Sequence, residues 1–472
     1  MIRQIVCKEI LENVLSLRFI LSLLLTIALF AASGFVFLSR YAKQSQDYWE
    51  KTNDNLSALR EQSSQLYRLA FYQQKVFRKP KPLTFCVEGF EKSLPNRFTF
   101  NVFTTELPAM EGRGNFTLPH FSDIDWVFII SLILSFVALA FTYDSICGEK
   151  EQGTLCLVLA NTIPRYKVLL GKYLAAMFTL GMPLLAGLLV SLVIVVSSKE
   201  IVISPGDWLR ILTIVLWSFL YLSVFVLLGL FVSSRTAHSA NSMVILLLAW
   251  VGLVILLPSS GRIISDVSSK SLTRADLERR LDEVSRQIWE NHEKFGKNAG
   301  SMSTDPKSPI NNPPARARLV TAVTEATNQA RNDHHNQLLA QTLTGRNFTC
   351  LSPTVIYQRA SEAIAGTGIN HCVSLYRQIK QYQPNLKEYI RSKDAEDPNS
   401  LHLIFPEEGC AQYWQTISHR PVDFDTVPKF QERDLALGQS LKLAIWDIGL
   451  LVLFNLVFFA ASFVSFLRYD VR

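Results

Sequence analysis

The sequence predicts an all-α polytopic membrane protein, with six transmembrane helices and a mainly helical extracytoplasmic domain that includes some short strands. Three observations predict this class. Of the 472 residues, 49% are apolar, and the mean hydropathy is positive at +0.19. Six long runs carry no charge, and a span needs about 20 mostly apolar residues. The long segments between the runs are rich in helix formers, with aromatic and β-branched residues confined to short stretches. One uncharged run could be a buried core helix, but six such runs make an integral membrane protein.

The elements follow in chain order. Residues 1–17, MIRQIVCKEILENVLSL, place Ile2, Ile5, Val6, Ile10, Val14 and Leu17 at near-helical spacing. Arg3, Lys8, Glu9 and Glu12 fall mostly opposite. An amphipathic helix on the cytoplasmic membrane surface fits this pattern, as does an extension of the first span. The first span is expected at 18–40, with Phe19–Ser39 uncharged between Arg18 and Arg40. FAASG at 30–34 has the small residues of a signal-peptide cleavage site. The run nevertheless continues to spanning length, whereas a signal h-region is shorter.

The first extracytoplasmic segment, 41–124, lacks Gly and Pro until Pro80, so the helix is expected to continue out of the membrane. LTFCVEGF and RFTFNVFTTEL then read as short strands or extended chain. The second span is placed at 125–143, a cytoplasmic elbow at 144–170 and the third span at 171–198. Within the third span, Pro183 favours a kink, and Gly181 and Gly187 allow close helix contact. The fourth and fifth spans are placed at 208–234 and 239–260.

A second extracytoplasmic segment, 261–442, opens with a helix that has Thr273 at its N-cap and Asp276 three residues on. Leu272, Leu277, Leu281, Val284 and Ile288 form its apolar stripe. GKNAGSMSTDPKSPINNPPAR reads as a loop, and helical texture resumes after it. NFTCLSPTVIYQRASEAIAGTG gives a short helix with glycine stops, and CVSLYRQIKQYQPNLKEYIRSK gives another. The last span, 443–467, has Asp447 at its outer edge and Asn455 inside, followed by a tail at 468–472. One Asn at a helix interface is ordinary interhelical glue.

Basic residues set the orientation. With the N-terminus inside, Arg3, Lys8, Arg18, Lys150, Arg165, Lys167, Lys172, Arg235, Arg468 and Arg472 all fall on the cytoplasmic side. Cys7, Cys147 and Cys156 then lie inside and Cys86, Cys350, Cys372 and Cys410 outside. Four cysteines in an oxidising compartment allow two disulfides by any of three pairings.

Several function classes find no support. The net charge of +7 is accounted for by basic cytoplasmic ends, and no basic patch with interleaved aromatics suggests nucleic acid. His334, His335, His371, His402 and His419 lack metal-ligand spacing, so no metal is expected. No paired Ser-His-Asp pattern occurs, and no catalytic residue is assigned. NFT at Asn115 and Asn347 matters only in a eukaryotic secretory pathway. No G-x-x-x-x-G-K-[ST] is present, so an ATP-driven role requires another polypeptide to hold the nucleotide.

The elbow remains to be explained. Tyr143 to Lys172, YDSICGEKEQGTLCLVLANTIPRYKVLLGK, holds seven charges around an apolar TLCLVLA too short to span. Asn161 and Thr162 punctuate it, and Pro164 suits a helix first turn. A short amphiphilic helix here can dock in a groove on a soluble partner or rest on the membrane.

This stretch resembles the cytoplasmic segment of ABC-2 type permeases, the membrane subunits of a class of ABC transporters. Glu149, Glu151, Gly153, Thr154, Pro164, Arg165, Gly171 and Lys172 carry the pattern. KEILENVLSLRF, SPTVIYQRASEAIAGTG, PVDFDTVPKF and the terminal RYDVR resemble a subset with a large outer insertion before the last span. The resemblance implies a multi-pass protein of the bacterial inner membrane with both termini cytoplasmic. It implies a second permease copy or a paralogous permease, and a cytoplasmic ABC ATPase dimer that touches the elbow as a coupling helix. ATP and Mg would sit on that ATPase, with no cofactor on this chain, which is then not itself an enzyme. Glu149, Glu151, Gly153, Thr154, Pro164 and Arg165 are the expected coupling residues, the carboxylates either meeting basic residues of the ATPase or holding the elbow's own fold. Substrate export is the expected output. A mechanotransmitter acting on an envelope partner is the alternative, and a receptor is less favoured.

Overall fold

The computed structural model describes residues 2–89, 94–109, 124–155, 164–198, 200–260, 273–301 and 312–468. Cys156, Asn161, Thr162, Asn115, Leu272 and residues 469–472 of the tail therefore lie outside the described residues. Among the described residues, six helices are long and apolar enough to cross a membrane. Their order along the chain agrees with the six uncharged runs of the sequence.

Helix α1 (Ile2–Val14) is followed by α2 (Leu17–Gln62), which begins where the Ser16 hydroxyl accepts the Phe19 N–H at 3.3 Å. Helix α2 contains the first span and continues unbroken for 46 residues, about 69 Å at 1.5 Å per residue. The expected continuation out of the bilayer is therefore real. The second span, α4, joins Trp126–Phe128, a π-helical turn Ile129–Leu134 and Ser135–Thr142. The short elbow helix α5 covers Cys147–Glu151. The third and fourth spans are α6 (Arg165–Val196) and α7 (Pro205–Arg235). Pro183 lies inside α6, and a Ser204–Asp207 capping box starts α7. The fifth span, α8 (Ser239–Ser260), has a second π-helical turn at Val251–Leu256. The last span, α14 (Leu437–Leu467), begins six residues before the boundary expected from its charges.

The domain beside the membrane combines α3 (Leu66–Phe71), an antiparallel strand pair and several helices. Strands β1 (Gln74–Phe77) and β2 (Arg97–Phe100) pair Gln74 with Phe100 and Phe77 with Arg97. The helices are α9 (Arg274–Glu290), α10 (Pro313–Phe348), α12 (Gly368–Ala395) and α13 (Glu408–Trp414). Thr273 and Asp276 form the expected capping box at the start of α9.

The molecule has two main cores. Trp126, Ile130, Leu134, Leu184, Tyr221 and Phe225 belong to the core among the spans. Leu59, Leu69, Phe98, Phe100, Leu375, Ile379 and Leu386 belong to the core of the domain. Leu59 places the far end of α2 in the domain core, so one helix joins both.

Helix α11 (Pro353–Ala365) departs from the sequence reading. It was expected in the extracytoplasmic domain, but it is packed with the spans, and Ile356, Tyr357, Ala360 and Ile364 belong to the membrane core. Its C-terminal end meets the head of α7, where Arg210 Nη1 donates to Ile364 O at 2.6 Å. Its N-terminal end reaches α8, where the Ser352 hydroxyl donates to Leu253 O at 2.6 Å. With 13 residues it is too short to cross, yet it packs among the helices that are long enough to do so. Non-spanning backbone at membrane depth is tolerated only where protein or a water-filled cavity surrounds it.

Candidate functional site: the elbow between the second and third spans

The elbow is assembled from the ends of several helices. After Thr142 the chain turns, and Ser233 near the end of α7 catches it. The Ser233 hydroxyl accepts the Ile146 N–H at 3.0 Å and the Cys147 N–H at 3.1 Å. Asp144 pairs with Arg18 of α2 at 2.8 Å, and Arg18 also donates to the Tyr143 hydroxyl at 2.8 Å.

Three elbow charges cap neighbouring helices. Lys150 Nζ donates to Ser234 O at 2.5 Å and Thr236 O at 3.1 Å, at the C-terminal end of α7. Arg165 Nη1 donates to Leu467 O, at the C-terminal end of α14, at 2.6 Å. Glu151 accepts the Ser239 N–H and the Ser239 hydroxyl, both at 2.8 Å, at the N-terminal end of α8. Helix ends leave carbonyls unpaired at the C-terminus and N–H groups unpaired at the N-terminus, with matching partial charges. Each of these three charges has the sign that its helix end requires.

Glu149 does something different. Its Oε1 receives Lys172 Nζ at 2.9 Å, and the same ammonium donates to Glu9 Oε1 at 2.7 Å. Lys172 is only 4% exposed. The triad ties α1, α5 and α6 together. Gly171 makes the approach feasible, because a Cβ there would lie 2.9 Å from Ile5 Cγ2. The apolar stripe of α1 thus packs on the third span through Ile5.

Gln152, Gly153, Thr154, Pro164 and Tyr166 are left exposed, with Gly153 in the left-handed region at φ +71°. The Thr154 hydroxyl donates to Glu149 O at 3.3 Å, and Leu155 is buried. Most of the apolar middle of the elbow lies outside the described residues. Of the expected coupling residues, Glu149, Glu151 and Arg165 have partners within the chain, whereas Gly153, Thr154 and Pro164 face outward.

The sequence profile described as ABC-2 family transporter protein matches residues 3–471. The chain belongs to the ABC-2 transporter family. It is also similar to a probable ABC transporter permease protein, NosY, of Pseudomonas aeruginosa, with 28% identity over 137 residues. That alignment covers 28% of this chain and 49% of the relative, so the chain spans about half the length of the curated relative it matches.

Two further polar clusters in this ABC-2 protein were not found by sequence reasoning. The first fastens α11. The Tyr357 and Tyr221 rings stack at 4.5 Å, and the Tyr357 hydroxyl meets the Ser218 hydroxyl at 2.7 Å. The Tyr221 hydroxyl donates to Ser131 O at 2.9 Å and meets the Thr354 hydroxyl at 3.0 Å. Ser131 and Leu253 lie in the two π-helical turns, whose altered backbone bonding presents carbonyls to side chains. The available signal was the small residues Ala360, Ser361, Ala363 and Ala365, which suit close helix packing.

The second cluster clasps the domain to the leader of α14. Lys81 Nζ reaches Glu432 Oε1 at 2.6 Å and also pairs with Asp434, while His371 Nε2 meets Glu432 Oε1 at 2.7 Å. Burial pushes the Glu432 carboxyl up, but the hydrogen bond to His371 and the Lys81 charge outweigh it and hold the group at about 2.

Cys86, Cys350, Cys372 and Cys410 have different surroundings. Cys86 lies in the core among the spans and Cys372 in the domain core. Arg359 Nη1 donates to Cys350 Sγ at 2.7 Å. Cys410 Sγ donates to Glu407 at 3.2 Å, and burial beside that carboxylate pushes the thiol up to about 12.

Proposed function

We propose that this chain is the permease subunit of an ATP-binding cassette exporter, driven through the elbow by a separate ATPase. The observation that carries the reading is the construction of the elbow. Its charges are committed to α1, α2, α6, α7, α8 and α14, so a force on the exposed turn 152–154 reaches every span through short polar contacts. The exposed residues Gln152, Gly153, Thr154, Pro164 and Tyr166 are the proposed docking surface. The elbow then faces the cytoplasm, the domain faces outward, and the protein works in the bacterial inner membrane with a second permease.

The test uses the full chain with its ATPase. The double variant Thr154→Arg, Tyr166→Ala should lose copurification of the ATPase while unfolding at the parental temperature. Retained ATPase binding in that variant would remove the elbow as the docking site.

A second reading is favoured by one specific feature. The 46-residue helix α2 enters the domain core at Leu59, so span and domain move together. A mechanotransmitter that acts on an envelope partner would use such a link. Reconstitution separates the readings: movement of a substrate across the bilayer supports export, whereas ATP-dependent change in an outer partner without substrate movement supports mechanotransmission.

A further inference from the structure

The domain carries a cleft of about 520 Å³ between the first half of α10 and the C-terminal end of α12, bordered on a third side by residues 402–404. Small-molecule sites have volumes of about 300–1,000 Å³ and combine apolar lining with a few placed polar groups. Ala317, Ala322 and Leu403 supply apolar lining here. Arg318 and Glu325 come from one face of α10, seven residues apart, while Arg391 comes from α12 and His402 from the third side.

His402 is held with particular firmness. Its backbone lies in the left-handed region at φ +56°, uncommon for a residue with a side chain. The Ser400 hydroxyl accepts its N–H at 3.1 Å, and its ring Nδ1 lies 2.9 Å from Asp394 Oδ2. Asp394 is only 1% exposed, and its other oxygen accepts the Ser400 hydroxyl and the Ser418 N–H, both at 2.7 Å. Asp394 therefore takes the Nδ1 proton, and in the neutral ring Nε2 is left to the cleft as an acceptor. Backbone outliers that their surroundings over-determine cluster at functional sites.

The arginines stand on different walls. Arg318 Nε and Nη2 both donate to Phe295 O, at 3.3 and 3.0 Å, which orients the guanidinium and leaves Nη1 for a ligand. Arg391 Nη1 meets Glu388 at 3.0 Å in a surface pair, a contact of little net worth that a ligand can replace. Among the described residues no cation pairs with Glu325. The cleft thus offers two guanidinium groups, suited to carboxylates, and two acceptors. Glu325 and a neutral imidazole oppose a plain anion, so they select a ligand that also carries an ammonium.

We infer that this cleft binds a dicarboxylic amino acid, the class of glutamate and aspartate, with a carboxylate on each arginine and the ammonium toward Glu325 and His402 Nε2. The inference stands on the domain alone and does not depend on the permease reading. Asp394 acts in it as a positioning residue for His402.

The experiment is saturation-transfer NMR on the full chain in nanodiscs, with each probe at about 1 mM, which detects a weak site. The probes are glutamate, aspartate, glutarate (no ammonium) and 4-aminobutyrate (one carboxylate). Glutamate or aspartate should receive saturation, and glutarate and 4-aminobutyrate should bind at least about tenfold more weakly. Arg391→Ala should weaken the amino acid about tenfold, and Glu325→Gln should weaken it while leaving glutarate unchanged. Both side chains are exposed, so the fold tolerates their loss. Arg286→Ala, on the exposed face of α9, is the charge-matched control and should change nothing. Absence of transfer to both amino acids, or transfer equal in Arg391→Ala, Glu325→Gln and the parent, would show that the cleft is not the site. Glutarate binding as tightly as glutamate would overturn the amino-acid class.

Discussion

Lys172 is the position where removal of a single charge should matter most. Lys172→Met takes away the cation between Glu9 and Glu149. Both carboxylates reach the same ammonium, at 2.7 and 2.9 Å, so their oxygens stand no more than about 5.6 Å apart. At that separation, and at an effective dielectric of about 20, two unit charges repel by about 3 kcal/mol. The lysine side chain is only 3% exposed, so water gives little screening. Deleting one partner of a buried pair costs about 3–5 kcal/mol in general, in line with this figure.

The same physics predicts a rescue. Replacing all three groups (Glu9→Gln, Glu149→Gln and Lys172→Met) removes the repulsion, and a buried pair exchanged for neutral groups is often tolerated. The assay is thermal unfolding of the purified chain in nanodiscs, followed by tryptophan fluorescence. The expected order of midpoints is parent, close to the triple variant, with Lys172→Met well below both. A Lys172→Met midpoint equal to the parent would refute the triad as a structural tie. A triple variant as unstable as the single would show that shape, not charge, is responsible.

Three further outcomes are expected. Glu432 titrates at about 2, below its ordinary 4.5, so its contribution is complete above pH 4.5 and is lost as the pH falls toward 2. Glu432→Gln should therefore lower stability at neutral pH by about 3 kcal/mol and flatten the acid limb, and superimposable acid-unfolding curves would contradict this. Gly229→Ala should destabilise by about 1–3 kcal/mol, because a Cβ there collides with the Thr142 hydroxyl, and an unchanged melting temperature would show that α4 and α7 can separate freely. Tyr221→Phe should cost about 1–2 kcal/mol through its lost bonds to Ser131 O and the Thr354 hydroxyl, as read by the same melts.

The spans were legible because hydrocarbon imposes one demand on every residue, and long uncharged runs meet it. The Thr273–Asp276 cap was legible for a related reason: both partners lie within one turn. The elbow was only half legible. Its sequence shows Glu149, Lys150 and Glu151 side by side, but their partners Lys172, Ser234 and Ser239 come from three different helix ends, and local spacing carries no record of those contacts. The packing of helix α11 among the spans was missed because a segment of 13 residues is too short for a span and carries Arg359 and Glu362 like a surface helix. Its partner residues Tyr221, Ser218 and Asp447 are more than 85 residues away in sequence, so no local pattern could show their convergence.

The contacts also define which parts can move as one. Arg18 holds Asp144 at the elbow end of α2, and Leu59, 41 residues further along, is in the domain core. An unbroken helix over that interval is about 62 Å long and gains no soft joint from glycine or proline beyond Gly34. Gly34 itself is buried, and a Cβ there would meet Ile194 at 3.2 Å, so it serves close packing on α6. If the elbow takes the push proposed for it, α2 cannot absorb the displacement by bending alone. Two of the routes open to it run to the domain, through the α2 end, and to α14, whose leader carries Glu432. Those two routes meet again at the clasp, where Lys81 and His371 from the domain hold Glu432. A continuous set of contacts thus runs from the elbow along α2 into the domain and back to the leader of α14 through the clasp.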